Sequence, residues 1–537
     1  MKHLYSLIKY QFVKSSLLIA VLLCMIFSVH KTNAQEFVRS ELPTELVGPW
    51  EMTYGPDDYL WITEAEGKVS RVHPETGLKK EVYVAPDFFD GSPLEQSPNC
   101  GMPPIQAGTL GLALDPDFTD PDHSYIYYVY SYNSGTEEFP ATKFKIVRLW
   151  WNAITNEASN ATDLVLDIPT GYDHVGGRLM AIKRAGISYL FLTVGDNGIS
   201  DENNPDCYVP QSSNPNNFAQ DPNYKNGKIH RFHIDGSIPE DNPIPGNSFY
   251  TRGHRNPQGL MYNASKDILY NVEHGDRTDD EINILEAGMN YGWKQVRGYH
   301  DGNREGELAY VDAYTPDPSI ANDALKEPLY SWCQAAGEED DSWLQWCTVA
   351  PSDGIYYGGN AIGIWENSLL VVCLKDGDVT DKEVFQFRLK DDGKTLAPST
   401  AENPNPKRFF GEDQDINGRL RDIAISTDGK KVFLVNNGGG DLSNKIKVYT
   451  YDDLDVIVCF GEQHISFYPN PTQGMLYIYN DLTNIKSYEL YDITGKTLLS
   501  ETNAPTEINM MKMAKGVYYL RIEGDNGFSL MKKIIKN

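Results

Sequence analysis

One phrase recurs along this chain: an apolar strand, a tight turn built on Asp, Pro or Gly, then an aromatic-rich strand. It reads as 51-EMTYGPDDYLWITE-64, as 111-GLALDPDF-118 running into 125-YIYYVYSY-132, and as 177-GRLMAIKRAGISYLFLTVGD-196. It returns as 259-GLMYNASKDILYNVEHGD-276, 361-AIGIWENSLLVVCLKDGD-378 and 421-RDIAISTDGKKVFLVNN-437. Period-two alternation about such a turn is what an antiparallel hairpin requires, because successive strand residues face opposite sides. A plain sandwich has no need of the same hairpin six times; a propeller repeats it once per blade. The expected fold is all-β: a six-bladed β-propeller over residues 35–455, a linker at 456–465 and a small C-terminal β-sandwich at 466–537. In that last segment, turns at Asn-Pro, Thr-Gly and Asp-Asn-Gly separate short alternating strands.

Charge narrows the partners. The chain holds 75 acidic and 47 basic residues, and the acidic excess lies between residues 35 and 462. So acidic a body repels nucleic acid and anionic membrane surfaces. The first 34 residues read as a signal peptide: Lys2, Lys9 and Lys14 precede 17-LLIAVLLCMIFSV-29, and Ala34 precedes the expected cleavage. The apolar run is short for a membrane span, and Leu23 before Cys24 argues against lipidation. After cleavage Cys100, Cys207, Cys333, Cys347, Cys373 and Cys459 remain, none in a C-x-x-C pair, which excludes a zinc ribbon. In an oxidising compartment Cys333 and Cys347 are expected to close a short loop, with the other pairings open.

Against this acidity, 251-TRGHRNPQGL-260 concentrates cations and amides at one bend and reads as a floor for a small anion. Four further stretches place polar residues at strand or hairpin ends: 104-PIQAGTLG-111, 172-YDHVGGRL-179, 374-LKDGD-378 and 417-NGRLRD-422. From these stretches the candidates are one imidazole, His174, and four cations, Arg255, Lys375, Arg419 and Arg421. A histidine beside two glycines also serves as a hydrogen-bonded core residue, and arginines often pair with surface acids. Recurrence at strand ends favours a shared site. For a metal, 273-EHGDRTDDEINILEAGMNYGWKQVRGYHD-301 supplies the hard oxygen donors that Ca²⁺ prefers. The segment 413-DQDINGRL-420 copies the start of an EF-hand loop, but its twelfth position is Ala424 rather than Glu, so it reads as a turn that aims the arginines.

Taken together, 173-DHVGGRL-179, 227-GKIHRFHIDGSIPEDNP-243, 254-HRNPQGL-260, 279-DDEIN-283, 290-NYGW-293, 346-WCTVAPS-352 and 419-RLRD-422 resemble the soluble quinoprotein glucose/sorbosone dehydrogenase family. The likeness runs in order from about Leu46 to Tyr451. It implies a six-bladed propeller that binds pyrroloquinoline quinone (PQQ) and Ca²⁺ and oxidises an aldose at C1 to the lactone, passing electrons to an unidentified acceptor. On that resemblance His174 is the general base, Asp196 holds its tautomer, and Arg255 polarises the quinone carbonyl. Asn256, Thr348, Lys375, Arg419 and Arg421 contact the cofactor, while Gln106, Asp173, Trp343 and Trp346 border the sugar. Trp343 stands where the family commonly has Tyr. The catalytic calcium takes the carbonyls of Gly275 and Asp276, the latter where Pro is common. A structural calcium is implied at Glu281, Tyr291, Arg297, Tyr299 and Asp301.

The final segment resembles the C-terminal sorting domain of type IX secretion found in Bacteroidetes, through 467-FYPNPTQG-474, 491-YDITGK-496 and 516-GVYYL-520. This implies passage through the type IX machinery to the cell surface or medium. A homodimer is compatible with these features. Two other readings are a non-catalytic propeller that binds carbohydrate or protein, and a calcium-dependent lactonase or hydrolase. A pure binder needs neither His174 nor Asp196 alongside the four cations. The hydrolase calls for a carboxylate cluster at the axis in place of a basic cradle.

Overall fold

The computed structural model describes residues 37–91, 106–137, 141–171, 173–197, 200–201, 204–208, 217–276, 278–332, 348–375, 383–413, 417–438, 443–451, 465–468, 470, 472–480, 485–493, 495–502, 507–524 and 529–537. The chain divides into two compact units, Met1–Asp452 and Asp453–Asn537.

In the larger unit, six antiparallel sheets of four strands follow one another along the chain. Their leading strands are Glu51–Tyr54, Thr109–Leu114, Gly176–Arg184, Asn256–Asn263, Pro351–Tyr357 and Leu420–Ile425. Each leading strand contacts the next, and the sixth contacts the first, so the series closes on itself.

Period-two alternation explains how the sheets pack. Along Leu60–Glu64, Trp61 faces the second sheet, beside Tyr128 and Trp151, while Leu60 and Ile62 face the sixth, beside Phe433 and Val435. In the second sheet Tyr127 and Val129 turn toward the third sheet, and Tyr128 and Tyr130 toward the first. Every adjacent pair of sheets shares one apolar cluster in this way. Burying a large side chain there contributes about 1.5–3 kcal/mol, and truncating Trp61 to Ala should cost about 3–5 kcal/mol.

Two elements differ from the sequence reading. The fifth hairpin does not begin at 361-AIGIW-365, where Gly363–Trp365 forms a 3-10 turn. Its first strand is Pro351–Tyr357, paired with Ser368–Cys373; the Ser-Asp-Gly within it mimics a turn and hid the strand. The sixth sheet takes its outermost strand from the start of the chain. Phe37–Glu41 pairs with Ile446–Tyr451, and the Phe37 ring stacks on Trp365 at 4.9 Å.

The smaller unit holds two sheets. One comprises Ile465–Tyr468, Met475–Asn480 and Glu507–Asn509, the other Ile485–Asp492, Thr497–Glu501, Gly516–Gly524 and Ser529–Lys536. They share a core that includes Leu476, Leu490, Ile508, Leu520 and Ile534.

Cys373 is buried in the core between the fourth and fifth sheets. The expected Cys333–Cys347 pair lies outside the described residues.

Five of the six leading strands shift register near their starts, at Thr109/Leu112, Gly176/Leu179, Pro257/Gly259, Pro351/Asp353 and Leu420/Asp422. A bulge re-aims side chains out of the alternating pattern. Here the re-aimed groups meet between the sheets. Arg178 hydrogen-bonds through Nε to the Gln258 carbonyl at 2.9 Å and through Nη1 to Glu51 at 2.5 Å and Asp422 at 2.8 Å. Its Nη2 reaches the Ser352 carbonyl at 3.2 Å, and its Nε lies 3.4 Å from Asp353. Burial opposes the charge of Arg178, but Asp353, Glu51 and Asp422 outweigh it and hold the guanidinium protonated.

Candidate active site

The antiparallel hairpins bring the start of each leading strand beside the end of its partner, and these paired ends build the site. In the third sheet, 173-DHVGG-177 enters the strand with His174 at φ 50, a left-handed conformation uncommon for any residue but glycine. Its neighbour across the hairpin must be glycine, because a Cβ at Gly195 would lie 1.9 Å from the His174 carbonyl oxygen. That close approach lets Asp196 reach the imidazole, with Oδ1 at 2.8 Å from Nδ1. Asp196 is fully buried, and its Oδ2 accepts from the Trp293 indole at 2.8 Å and the Asn217 amide at 2.9 Å. A carboxylate on Nδ1 keeps the proton there and leaves Nε2 as the basic atom. Asp173 stands beside it, with Oδ2 at 3.3 Å from Nε2 and Oδ1 held by the His174 N–H at 2.8 Å and the Gln106 amide at 3.3 Å.

These groups open onto a cavity of about 390 Å³ that also takes in Trp50, Arg255, Asn256, Gln258, His274, Gly275, Asp276, Asp280, Thr348, Lys375, Arg419 and Arg421. The structure thus brings together every sequence-derived catalytic and cofactor residue except Asp196, which stands directly behind His174. Gln106 and Asp173 join them; Trp343 and Trp346 lie outside the described residues.

The cations are held in different ways. Lys375 donates to the Thr348 carbonyl at 2.7 Å. Arg255 reaches the His274 carbonyl at 3.4 Å and lies 3.7 Å from the Asp276 carboxylate. Arg421 rests on the Trp50 ring, 4.0 Å from its centroid, with Arg178 against the same ring at 4.4 Å. Burial, then the charge of Arg178, pushes Arg421 down to about 9. The buried Nε atoms of Arg255 and Arg421 and Nε2 of His274 have no hydrogen-bond partner among the described residues. Burial, followed by the charges of Arg255, His174, Arg421 and Arg419, holds His274 well below the usual histidine range. Orphaned buried donors cost free energy unless a ligand satisfies them. An oxygen-rich anion is the ligand this donor set fits.

Around the expected calcium ligands, Gly275 and Asp276 line the cavity at the end of a strand. The Asp276 carboxylate is engaged by Arg297 at 2.7 Å. Asp280 accepts from the amides of Gly275, Val349 and Ala350 at 2.8, 2.6 and 2.7 Å, while burial pushes its pKa up to about 6. The second expected set is more dispersed in its side-chain contacts. The Tyr291 hydroxyl donates to the Ile284 carbonyl, Tyr299 to the Leu329 carbonyl at 3.3 Å, and Arg297 serves Asp276. Glu281 accepts from the Gly298 N–H at 2.8 Å and from Asn283 at 2.9 Å; burial and then Glu273 hold its carboxyl well above the usual range. Asp301 is exposed.

The axis does carry a carboxylate cluster, Glu51, Asp353 and Asp422. Arg178 occupies it, so the arrangement that a hydrolase would need is filled by a guanidinium. Sequence reasoning gave no individual role to Trp50, Gln258, His274, Asp280 or Trp293. Gln258 lies within 251-TRGHRNPQGL-260, and His274, Asp280 and Trp293 lie within the segment 273–301, so the quoted stretches contained them without singling them out. Trp50 lies in none of them.

The sequence profile described as glucose/sorbosone dehydrogenase matches residues 46–444, and that of the secretion system C-terminal sorting domain matches 466–537. Quinoprotein glucose dehydrogenase B of Acinetobacter calcoaceticus is 30% identical over 458 residues, covering 77% of this chain and 88% of its own. An aldose sugar dehydrogenase of Escherichia coli is 25% identical, over 75% of this chain and 90% of its own. The solved PQQ-bound aldose sugar dehydrogenase of Streptomyces coelicolor superposes with a TM-score of 0.52 at 24% identity, covering 78% of this chain and 98% of that one.

Proposed function

Given that the chain belongs to the glucose/sorbosone dehydrogenase family and is an oxidoreductase acting on sugar CH–OH, we propose that it oxidises an aldose at C1 to the lactone, using PQQ and Ca²⁺. On this reading the six closed sheets are the blades of a six-bladed propeller, and an external acceptor takes the electrons. The observation that carries the proposal is the juxtaposition of orphaned cationic donors with the His174–Asp196 pair around one cavity.

His174 takes the proton of the C1 hydroxyl at Nε2, and Asp196 stabilises the imidazolium that forms. Trp293 and Asn217 donate to Asp196 Oδ2 and hold the carboxylate correctly turned. Asp173 beside Nε2, and Gln106 bonded to Asp173, would receive neighbouring sugar hydroxyls, with Trp343 and Trp346 as the expected aromatic wall. Arg255, Asn256, Thr348, Lys375, Arg419 and Arg421 would hold PQQ, whose three carboxylates answer the cations. When bound, PQQ supplies the two-electron acceptor that none of these side chains provides. The Gly275 and Asp276 carbonyls would hold Ca²⁺ as a Lewis acid; because Arg297 neutralises the Asp276 carboxylate, the backbone oxygen is the expected ligand. A structural Ca²⁺ would draw on Glu281, Asp301 and the backbone oxygens of Tyr291, Arg297 and Tyr299.

The sorting domain indicates export through type IX secretion. Cleavage of the N-terminal signal peptide and removal of the tail complete the proposed route.

The test is reconstitution. The full chain is stripped with chelator, given PQQ with and without Ca²⁺, and assayed by dye reduction over a panel of aldoses. Activity that needs both additions supports the proposal; failure to bind PQQ overturns it in favour of a binding propeller. His174→Ala should lower kcat by about 10²–10⁴ with PQQ affinity retained, and near-normal turnover would remove His174 from the mechanism.

A further inference from the structure

His274 ends its strand directly before Gly275 and is the cross-strand partner of Asn256. Two amides decide how its ring is protonated. The Asn256 carbonyl oxygen accepts from the Gln258 Nε2 at 2.8 Å, which turns the Asn256 Nδ2 toward the imidazole, 3.3 Å from Nδ1. An amide NH₂ can only donate, so Nδ1 must accept and the ring proton belongs on Nε2. Nε2 is itself out of solvent and has no hydrogen-bond partner among the described residues, although the side chain lines the cavity. Asn256 therefore spends its amide on orienting a neighbour, in addition to any contact of its own with a ligand.

We infer that His274 binds the cofactor as a neutral donor, giving Nε2–H to an acceptor oxygen of the bound quinone, with Gln258 and Asn256 as the relay that fixes its tautomer. The inference rests on the PQQ reading above and adds to it a binding residue and two positioning residues. The surrounding charges explain why a neutral donor suits this place. Arg255, Arg419 and Arg421 already face the cavity alongside His274, and a further cation among them would be repelled. A neutral N–H adds a directional hydrogen bond without that repulsion.

The experiment titrates the chelator-treated full chain with PQQ in the presence of Ca²⁺, following tryptophan fluorescence, for wild type, His274→Leu and His274→Gln. Leu keeps the bulk and removes the donor; Gln restores an N–H at similar reach. His274→Leu should weaken PQQ binding by about tenfold or more, and His274→Gln should stay within about threefold of wild type. Equal affinity for wild type and the Leu variant overturns the inference. Absence of PQQ binding by wild type overturns the quinoprotein reading instead. Should the Leu variant fail to fold, ¹⁵N NMR of the wild-type imidazoles, assigned by difference against His274→Gln, decides the matter. An Nε2–H tautomer whose nitrogen shifts on PQQ addition supports the role, and an Nδ1–H tautomer refutes it.

Discussion

Two arginines rest against the Trp50 ring, and their surroundings differ. Arg178 is enclosed by Glu51, Asp353 and Asp422 and by two backbone carbonyls. Arg421 is about as buried, yet its Nε finds no partner among the described residues, and after burial the charge of Arg178 acts on it most strongly, with Asp422 and Asp353 offsetting it only in part. The same kind of side chain is therefore a structural hub at Arg178 and, on the proposed reading, a binding group at Arg421. The number of carboxylates within reach makes the difference. Burial identifies neither role; the charge balance of the pocket does.

The comparison can be broken most forcefully at the hub. Arg178→Met leaves three buried carboxylates without their cation and should destabilise the protein by about 3–5 kcal/mol, read as a shift in the denaturant midpoint. A loss below about 1 kcal/mol would mean that the hub is held by packing alone. On the other side, Arg421→Gln should leave the stability of the apo-protein unchanged or raised, and weaken PQQ binding by about ten- to a hundredfold. Destabilisation without an affinity change would reverse the assignment of the two arginines.

A smaller effect sharpens the picture of the hub. Burial pushes Glu51 up to about 8 from the ordinary 4.5. The folded state keeps a proton there that the unfolded chain releases, so this contribution is fully present below pH 4.5 and is lost as pH rises toward 8. Thermal stability should fall across that window, and Glu51→Gln should flatten the slope. An unchanged slope in the variant would place the titrating proton elsewhere, on Asp353 in the first instance, whose carboxyl is also held well above its usual range.

Much of this arrangement was legible beforehand, for identifiable reasons. Five of the six hairpins follow from alternation and turn residues, which are properties of a dozen adjacent positions. The fifth was displaced because Ser352, Asp353 and Gly354 imitate a turn in the middle of a strand. His174 and the cations of the cavity were visible because they sit at strand ends inside distinctive motifs. His274 was passed over: beside Gly275 it looked like part of a metal loop, and its orphaned nitrogen appears only once Asn256 and Gln258 are in place.

The sequence by itself determined the elements: antiparallel hairpins, their turns, an acidic body and the basic stretches that stand out against it. Those features depend on near neighbours, where side-chain period and backbone preference act directly. Only the tertiary structure decided that Phe37–Glu41 completes the last sheet, that bulged strands send Arg178 to the carboxylates of Glu51 and Asp422, and that both arginines rest on Trp50. Each of these joins residues far apart in the chain, and the energy that fixes them, ladder pairing and aromatic packing for the first and the pairing or stranding of buried charge for the arginines, exists only once those distant segments have come together.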